Sequence, residues 1–364
     1  MQPDTETAIT PTSPADTGAP QSAARRRRLS GLGAAGSLGS RLGRKLAWML
    51  IVFFGITAIS FWVIHLAPGT PTDLQTTMNP FAGEEARKRL NALYGLDKPL
   101  VEQYVDWVKR LVQLDFGNSM SSDSRPVWDK IKERLPLTLG MNLGSLFLTL
   151  LIAVPIGIIS ACRQGGLFDR LSTVFVFIGF AMPGFWLALL LMMLFAVELE
   201  WLPVSGITSF DFASYSLWGK FCDLAQHLAM PLFVYTFGSL AAMSRYMRSS
   251  MLEVLRQDYI TTARAKGLSP RKVVMKHALR NALLPLITLL GLSIPGLIGG
   301  SVIIESIFAL PGLGQLFYTA VLARDYPLIM GNLVLGAMLT LIGNMLADLA
   351  YGVADPRIRR GAKV

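Results

Sequence analysis

Six stretches of this chain are apolar over lengths that match a lipid bilayer: residues 46–66, 136–160, 171–196, 226–244, 281–305 and 327–350. About 20 apolar residues in a helix cross the hydrocarbon core. A segment in lipid must satisfy its own backbone polar groups, which a helix does. The stretch from Pro136 to Ser160 carries no charge, and the fourth, the weakest, still has 17 uncharged residues between Leu228 and Ser244. Pro155, Pro183, Pro231, Pro285 and Pro295 fall within or at the ends of these stretches. Neighbouring helices can satisfy the carbonyls that proline frees. Only 16% of the chain is charged and 52% is hydrophobic, whereas soluble domains carry about 25% charge. The expected fold class is an all-α polytopic membrane protein with six transmembrane helices.

Charge sets the orientation. The net charge is +10, and in a membrane protein such an excess gathers on cytoplasmic loops, so no nucleic-acid partner is needed to explain it. With the N-terminus in the cytoplasm, the inside segments 1–45, 161–170, 245–280 and 354–364 hold 7, 2, 9 and 4 basic residues. The short outside loops 197–225 and 309–326 hold one each, Lys220 and Arg324. The long outside segment 67–135 balances ten basic against ten acidic residues, and long segments translocate largely regardless of charge. Both termini are then cytoplasmic. Cys162 and Cys222 fall on opposite faces and cannot pair within one chain. The first stretch is longer than a signal-peptide core and no A-x-A site follows it, so it reads as a retained anchor, residues 46–66.

Residues 1–45 are rich in Pro, Thr, Ser, Ala and Gly and contain Arg25-Arg26-Arg27-Arg28. Such a tail buries too little apolar surface to order itself and is expected to be disordered. Its Gly31-x-Gly33-x-x-Gly36 has the spacing of a dinucleotide loop but no strand before it. In segment 67–135, Leu100, Tyr104, Trp107, Val108 and Leu111 recur at helical spacing, Pro99 suits a helix start, and 84–94 and 126–135 also look helical. This segment is expected to be a small extracytoplasmic helical cap, packed on the bundle or presented to an extracytoplasmic partner. The membrane core is 136–350, and 351–364 is a cytoplasmic tail.

The loop 245–280 carries nine Lys/Arg against two acids. Its centre runs Asp258-Tyr259-Ile260-Thr261-Thr262-Ala263-Arg264-Ala265-Lys266-Gly267-Leu268-Ser269-Pro270. Gly267 is the residue best able to end a helix in the left-handed conformation. Ser269 can cap a second helix that has Pro270 at its first position. Ala263 and Ala265 keep the first helix slim, while Arg264 and Lys266 offer charge. These residues alone leave two partners open: an anionic lipid surface or a groove on another protein.

Several chemistries are missing from the sequence. It has no G-x-x-x-x-G-K-[ST] phosphate loop, no nucleophile elbow and no HExxH. His65, His227 and His277 are far apart and form no close-spaced ligand pair. No catalytic residue, cofactor or metal site is expected. Glu305 and Asp348 lie near the ends of the fifth and sixth stretches, where a charge can reach water or a basic neighbour, rather than at mid-membrane as an ion-coupled transporter would need. Asn332 and Asn344 suit ties between helices. A DNA-reading helix–turn–helix is disfavoured because the second helix runs into an apolar span at Ala282.

Four stretches carry a family likeness. The first is Tyr94-Gly95-Leu96-Asp97-Lys98-Pro99 with Leu114-Asp115-Phe116-Gly117-Asn118-Ser119, and the second is Arg134-Leu135-Pro136-Leu137-Thr138-Leu139. The third is Asp258-Tyr259 through Gly267-Leu268, continuing from His277 to Pro285. The fourth joins Glu305-Ser306-Ile307-Phe308, Pro311-Gly312-Leu313-Gly314-Gln315-Leu316 and Arg324-Asp325-Tyr326-Pro327. With Asp355-Pro356-Arg357-Ile358-Arg359 near the end, the chain resembles permease subunits of ATP-binding-cassette importers of the dipeptide/oligopeptide/nickel group. The likeness covers about 44–360. It implies a type I importer permease fold in a bacterial inner membrane, forming half of a pathway for short peptides, or for nickel or another small solute. It also implies ATPase coupling through Asp258, Tyr259, Thr261, Thr262, Ala263, Arg264, Ala265, Lys266, Gly267 and Leu268. Where the family pattern has Glu-Ala-Ala, this chain has Thr261-Thr262-Ala263, as peptide-type members do. The implied partners are two ATPase subunits or one dual ATPase, a second similar permease, an extracytoplasmic solute-binding protein and the lipid bilayer, with no nucleic acid.

Overall fold

The structure, a computed structural model, describes residues 22–69, 84–293, 296 and 300–354. Its helices are α1 (Ser22–Leu66), α2 (Glu84–Tyr94), α3 (Leu100–Val112), α4 (Val127–Cys162), α5 (Leu167–Ala181), α6 (Gly184–Glu198), α7 (Leu217–Leu255), α8 (Asp258–Ala265), α9 (Pro270–Gly291), α10 (Val302–Ile307), α11 (Leu313–Ala323) and α12 (Tyr326–Ala354). No strand occurs among the described residues, only one isolated bridge between Asn118 and Pro126. The chain divides into two units, Met1–Val52 and Phe53–Val364. Five described helices are long and apolar enough to cross a membrane, and the bent pair α5–α6 makes six if it is one span.

In the first unit, α1 already runs from Ser22, so over 22–45 the expected disorder gives way to helix. The Ala, Leu and Arg residues there are strong helix formers, and extending an existing apolar helix requires no new nucleus. Residues 1–21 lie outside those described.

Around α4 and α7 the second unit is organised, and these two helices share the most extensive contact in the molecule. The buried face of α7 recurs every three or four residues: Asp223, His227, Met230, Val234, Phe237, Ala241, Ser244, Met247 and Met251. That is the spacing of one helix face. The facing stripe of α4 is built from small residues, Ser145, Thr149, Ala153 and Gly157, which let two backbones approach where lipid offers no hydrophobic drive. A Cβ on Gly157 would lie 2.5 Å from Met247 Cβ and 2.9 Å from the Arg248 backbone nitrogen. Three apolar clusters follow one another along α4: Val127 and Ile131 with α11 and α12, then Met141 with α6, α7 and α10, then Ala161 with α7, α8 and α9.

Other elements depart from the apolar pattern. The second stretch, 136–160, is continuous with 127–135 in the single helix α4, Pro136 and Pro155 lying inside it. The third, 171–196, is not one straight span: α5 and α6 meet at 102°. Met182 is extended (φ −92°, ψ 117°), because the ring of Pro183 clashes with a helical preceding residue. The fifth, 281–305, is displaced. α9 begins at Pro270, and Glu305 belongs to the separate short helix α10, capped by the Ser301 side chain accepting from Ile304 N–H. Gly300, just before the Ser301 cap, lies outside any helix, and glycine disfavours helix. The face that α3 buries is the one its periodicity predicts. Trp107 and Leu111 of α3 are buried against Phe61, Met330 and Val334, and Tyr104 Oη hydrogen-bonds Thr57 Oγ1 at 3.1 Å.

Overpacking a helix contact costs about 1–3 kcal/mol. Gly157→Ala should therefore lower the thermal midpoint of the detergent-purified chain by several degrees. Gly140→Ala, where a Cβ would meet nothing within 4 Å, should not lower it and should raise it slightly, alanine being the better helix former.

Candidate functional site

α8 hangs from the bundle by one face. Ile260 and Ala263, one turn apart, are buried with Ala161 of α4, Met247 and Met251 of α7, and Val273, Ala278 and Ala282 of α9. Asp258, Tyr259, Thr261, Thr262, Arg264, Ala265, Lys266 and Gly267 are exposed, and Leu268 is half-buried. The small side chain of Ala263 thus serves packing inside the chain, and Ala265 is the alanine left on the outer face. Asp258 sits in the first turn of α8, where a negative charge complements the helix dipole.

The end of α8 is fixed by backbone geometry. Gly267 has φ +75°, its N–H bonds the Arg264 carbonyl at 2.9 Å, and Leu268 N–H reaches the Ala263 carbonyl at 3.4 Å. This pair of bonds is the Schellman closure, which needs a left-handed residue at its turn. Nothing lies within 4 Å of where a Gly267 Cβ would be, so the requirement is conformational and not steric. Ser269 is extended and precedes Pro270 as expected, but its side chain makes no capping bond. Its carbonyl alone receives Val273 N–H, at 3.0 Å. Two further bonds brace the loop: Asn281 Nδ2 donates to Tyr259 Oη at 2.6 Å, and Ser250 Oγ donates to the Ala282 carbonyl at 2.8 Å. Arg264, Lys266, Arg271 and Lys272 are exposed and form no ion pair among the described residues. The result is a short helix with a preset outer face and basic flanks.

At this same end is an ion pair that the sequence did not reveal. Asp169 of α5 faces Arg248 of α7, with Nε to Oδ1 at 2.6 Å and Nη2 to Oδ2 at 2.8 Å. The partners are 79 residues apart. The one available hint was an acid in the otherwise basic segment 161–170.

At the other end of α4, two motif acids are buried. Asp325 is 1% exposed. It accepts from Ser119 Oγ and from Met120 N–H at 3.0 Å, and it caps α12 through Leu328 N–H at 3.2 Å. The first and fourth sequence motifs therefore meet, 206 residues apart. Beside them Lys130 Nζ bonds Ser119 Oγ at 2.9 Å, Ser121 Oγ at 2.6 Å and Asp123 Oδ1 at 2.7 Å. The Lys130 ammonium, with help from the Ser121 hydroxyl, pulls the Asp123 carboxyl down to about 2. Glu305, expected to reach water or a basic neighbour, is instead 3% exposed. Its carboxylate accepts from Gln315 N–H at 2.8 Å, with Thr138 and Tyr235 hydroxyls each at 3.5 Å. A Cβ on Gly312 would collide with that carboxylate, so the glycine makes room for it. Asn332 Nδ2 donates to the Leu313 carbonyl at 3.0 Å, tying α12 to α11. The Asp348 side chain and residues 355–359 lie outside the described residues. Among the described residues no group of three His, Cys, Asp or Glu could hold a metal ion.

Comparison with known proteins identifies the type of molecule that has this arrangement. Residues 153–360 match the family described as "Binding-protein-dependent transport system inner membrane component", and residues 41–142 match its N-terminal companion. The "Oligopeptide transport system permease protein AppB" of Bacillus subtilis is 43% identical over 86% of this chain and 98% of its own length. The "Di/tripeptide transport system permease protein DppB" of Pseudomonas aeruginosa is 40% identical over 88% of this chain and 98% of its own. A solved structure, "Inward facing conformations of the MetNI methionine ABC transporter", superposes with a TM-score of 0.50 at 20% identity, over 62% of this chain and 96% of that one, which places the two in one fold.

Removing the Asp325 carboxylate leaves buried donors unmatched, and hydrogen bonds to charged groups are worth about 1.5–3 kcal/mol each. Asp325→Ala should thus expose residues 113–126 to limited proteolysis in the folded chain. Asp325→Asn, which keeps one acceptor oxygen, should do so less.

Proposed function

The chain belongs to the family of binding-protein-dependent transport inner-membrane components, and from that premise we propose that it is a permease subunit of an ATP-driven importer of short peptides. It forms half of the translocation pathway and carries no ATPase site of its own, its sequence having no phosphate loop. The names of its relatives support peptides as the cargo and not nickel. ATP hydrolysis then belongs to two cassette ATPase subunits or one dual ATPase. A second, similar permease completes the pathway, and an extracytoplasmic solute-binding protein delivers the peptide. The positive-inside pattern supports a cytoplasmic position for both termini and for α8, and an extracytoplasmic one for the cap within 67–135.

One observation carries the coupling role: α8 is rigidly closed at Gly267 and seated by Ile260 and Ala263, while the rest of its length stays open. A helix held this way passes force in two directions. Closure of the ATPase subunits on ATP pushes its outer face, and its inner face moves α4, α7 and α9 together. For transport to follow, ATP must stabilise one arrangement of the bundle more than the other.

A β-branched residue in the left-handed conformation costs about 1–2 kcal/mol. Gly267→Val should therefore reduce substrate-stimulated ATP hydrolysis and peptide uptake by roughly tenfold, while Gly267→Asn, which tolerates this conformation, should retain most of both. Unchanged uptake and stimulation in Gly267→Val would refute the coupling role.

A further inference from the structure

Asp169 does more than pair with an arginine. The residue is buried, at 4% exposure. Besides the two-pronged contact with Arg248, it accepts from Ser160 Oγ of α4 and from Gly165 N–H, at 2.9 Å, in the α4–α5 turn. A single carboxylate therefore joins the end of α4, the turn after it and α7. Its main-chain carbonyl also receives the hydroxyls of Ser172 and Thr173, at 3.0 and 2.7 Å, which stiffens the first turn of α5.

The position of the pair on α7 is what gives it a role. Arg248 lies between Met247 and Met251, the residues that seat Ile260 and Ala263 of α8. At the same level, Gly157 lets α4 touch Met247 and the backbone of Arg248. A push on α8 therefore reaches the last turns of α7, where α4 is the fulcrum and Arg248 is the projecting arm. α5 is a helix of only 15 residues, ending in the 102° bend at Pro183. It is hinged at one end and held by Asp169 at the other. Its apolar contacts with α7 include Phe175 on Phe237 at mid-helix and Gly179 on Ala241 nearer the hinge. To these contacts the guanidinium–carboxylate fork adds a fixed distance and orientation.

We infer that Asp169 and Arg248 are positioning residues that transmit the movement of α8 to α5, and through α5 to the bent α5–α6 pair. The inference rests on the proposed role of α8 as the ATPase-coupling element. Its test uses the complete transporter in lipid vesicles, with the ATPase subunits, the second permease and the binding protein present. Asp169→Asn removes the charge. Arg248→Lys keeps the charge but loses the fork. In both variants the ATPase subunits should co-purify as with the unsubstituted chain, and basal ATP hydrolysis should stay within about twofold. Substrate-stimulated hydrolysis and peptide uptake should each fall roughly tenfold, an effect of about 1.4 kcal/mol. Spin labels at Leu171 of α5 and Leu143 of α4, both exposed, should show an ATP-dependent distance change that both variants abolish.

Two results would overturn the inference. One is a normal ratio of stimulated to basal hydrolysis with the distance change intact in both variants. The other is loss of ATPase co-purification and basal hydrolysis in parallel with uptake, which would make the pair merely part of the scaffold. Failure of the unsubstituted chain to retain the ATPase subunits would instead remove the coupling role of α8 itself.

Discussion

The close contact between α4 and α7 is the constraint on which the rest of the molecule depends. Lipid gives two apolar helices no hydrophobic reason to associate, so close packing of small residues must hold them. Ser145, Thr149, Ala153 and Gly157 supply that surface, and the three-and-four spacing of the α7 face fills it. At about 1.5 Å per residue, the 36 residues of α4 extend roughly 54 Å. This one helix therefore reaches both ends of the bundle: the seat of α8 at one, and the contacts with α11 and α12 at the other.

Buried acids pin the elements that surround this axis. Asp169, Glu305 and Asp325 are each 4% exposed or less, and a buried carboxylate without donors would cost several kcal/mol. Each is met by donors from distant parts of the chain. Asp169 finds an arginine, whereas Glu305 and Asp325 rely on backbone N–H groups and hydroxyls. Those donors exist only in one arrangement of helices, so the acids specify register. Gly312 and Gly314 serve Glu305 in this way, giving up a side chain so that the carboxylate can approach the start of α11.

Much of the architecture was legible in the apolar pattern. The second, fourth and sixth stretches lie within α4, α7 and α12, because twenty consecutive apolar residues have few alternatives to a spanning helix. The amphipathic repeat of α3 correctly identified its buried face. At the end of α8, Gly267 and Pro270 revealed the turn, since backbone conformation at such residues is a local property. The misses were of another kind. In the sequence Pro183 suits a straight span as well as a bend, and whether neighbours straighten or exploit such a break is not a local matter. Ser269 takes the cap position without the capping bond. The Asp169–Arg248 pair and the burial of Glu305 left no periodic trace.

By itself, then, the sequence determined that the chain is built on long apolar helices, the sharp closure of α8 at Gly267 and the absence of a phosphate loop. All three follow from composition, spacing or the conformational range of single residues. Tertiary structure alone decided which side chains of α8 face inward, that Ala263 is spent on the seat while Ala265 is left outside, and that Asp169 meets Arg248 across 79 residues. Those outcomes depend on which helix faces lie together, and that is set by the packing of α4 on α7, a relation between residues far apart in the chain.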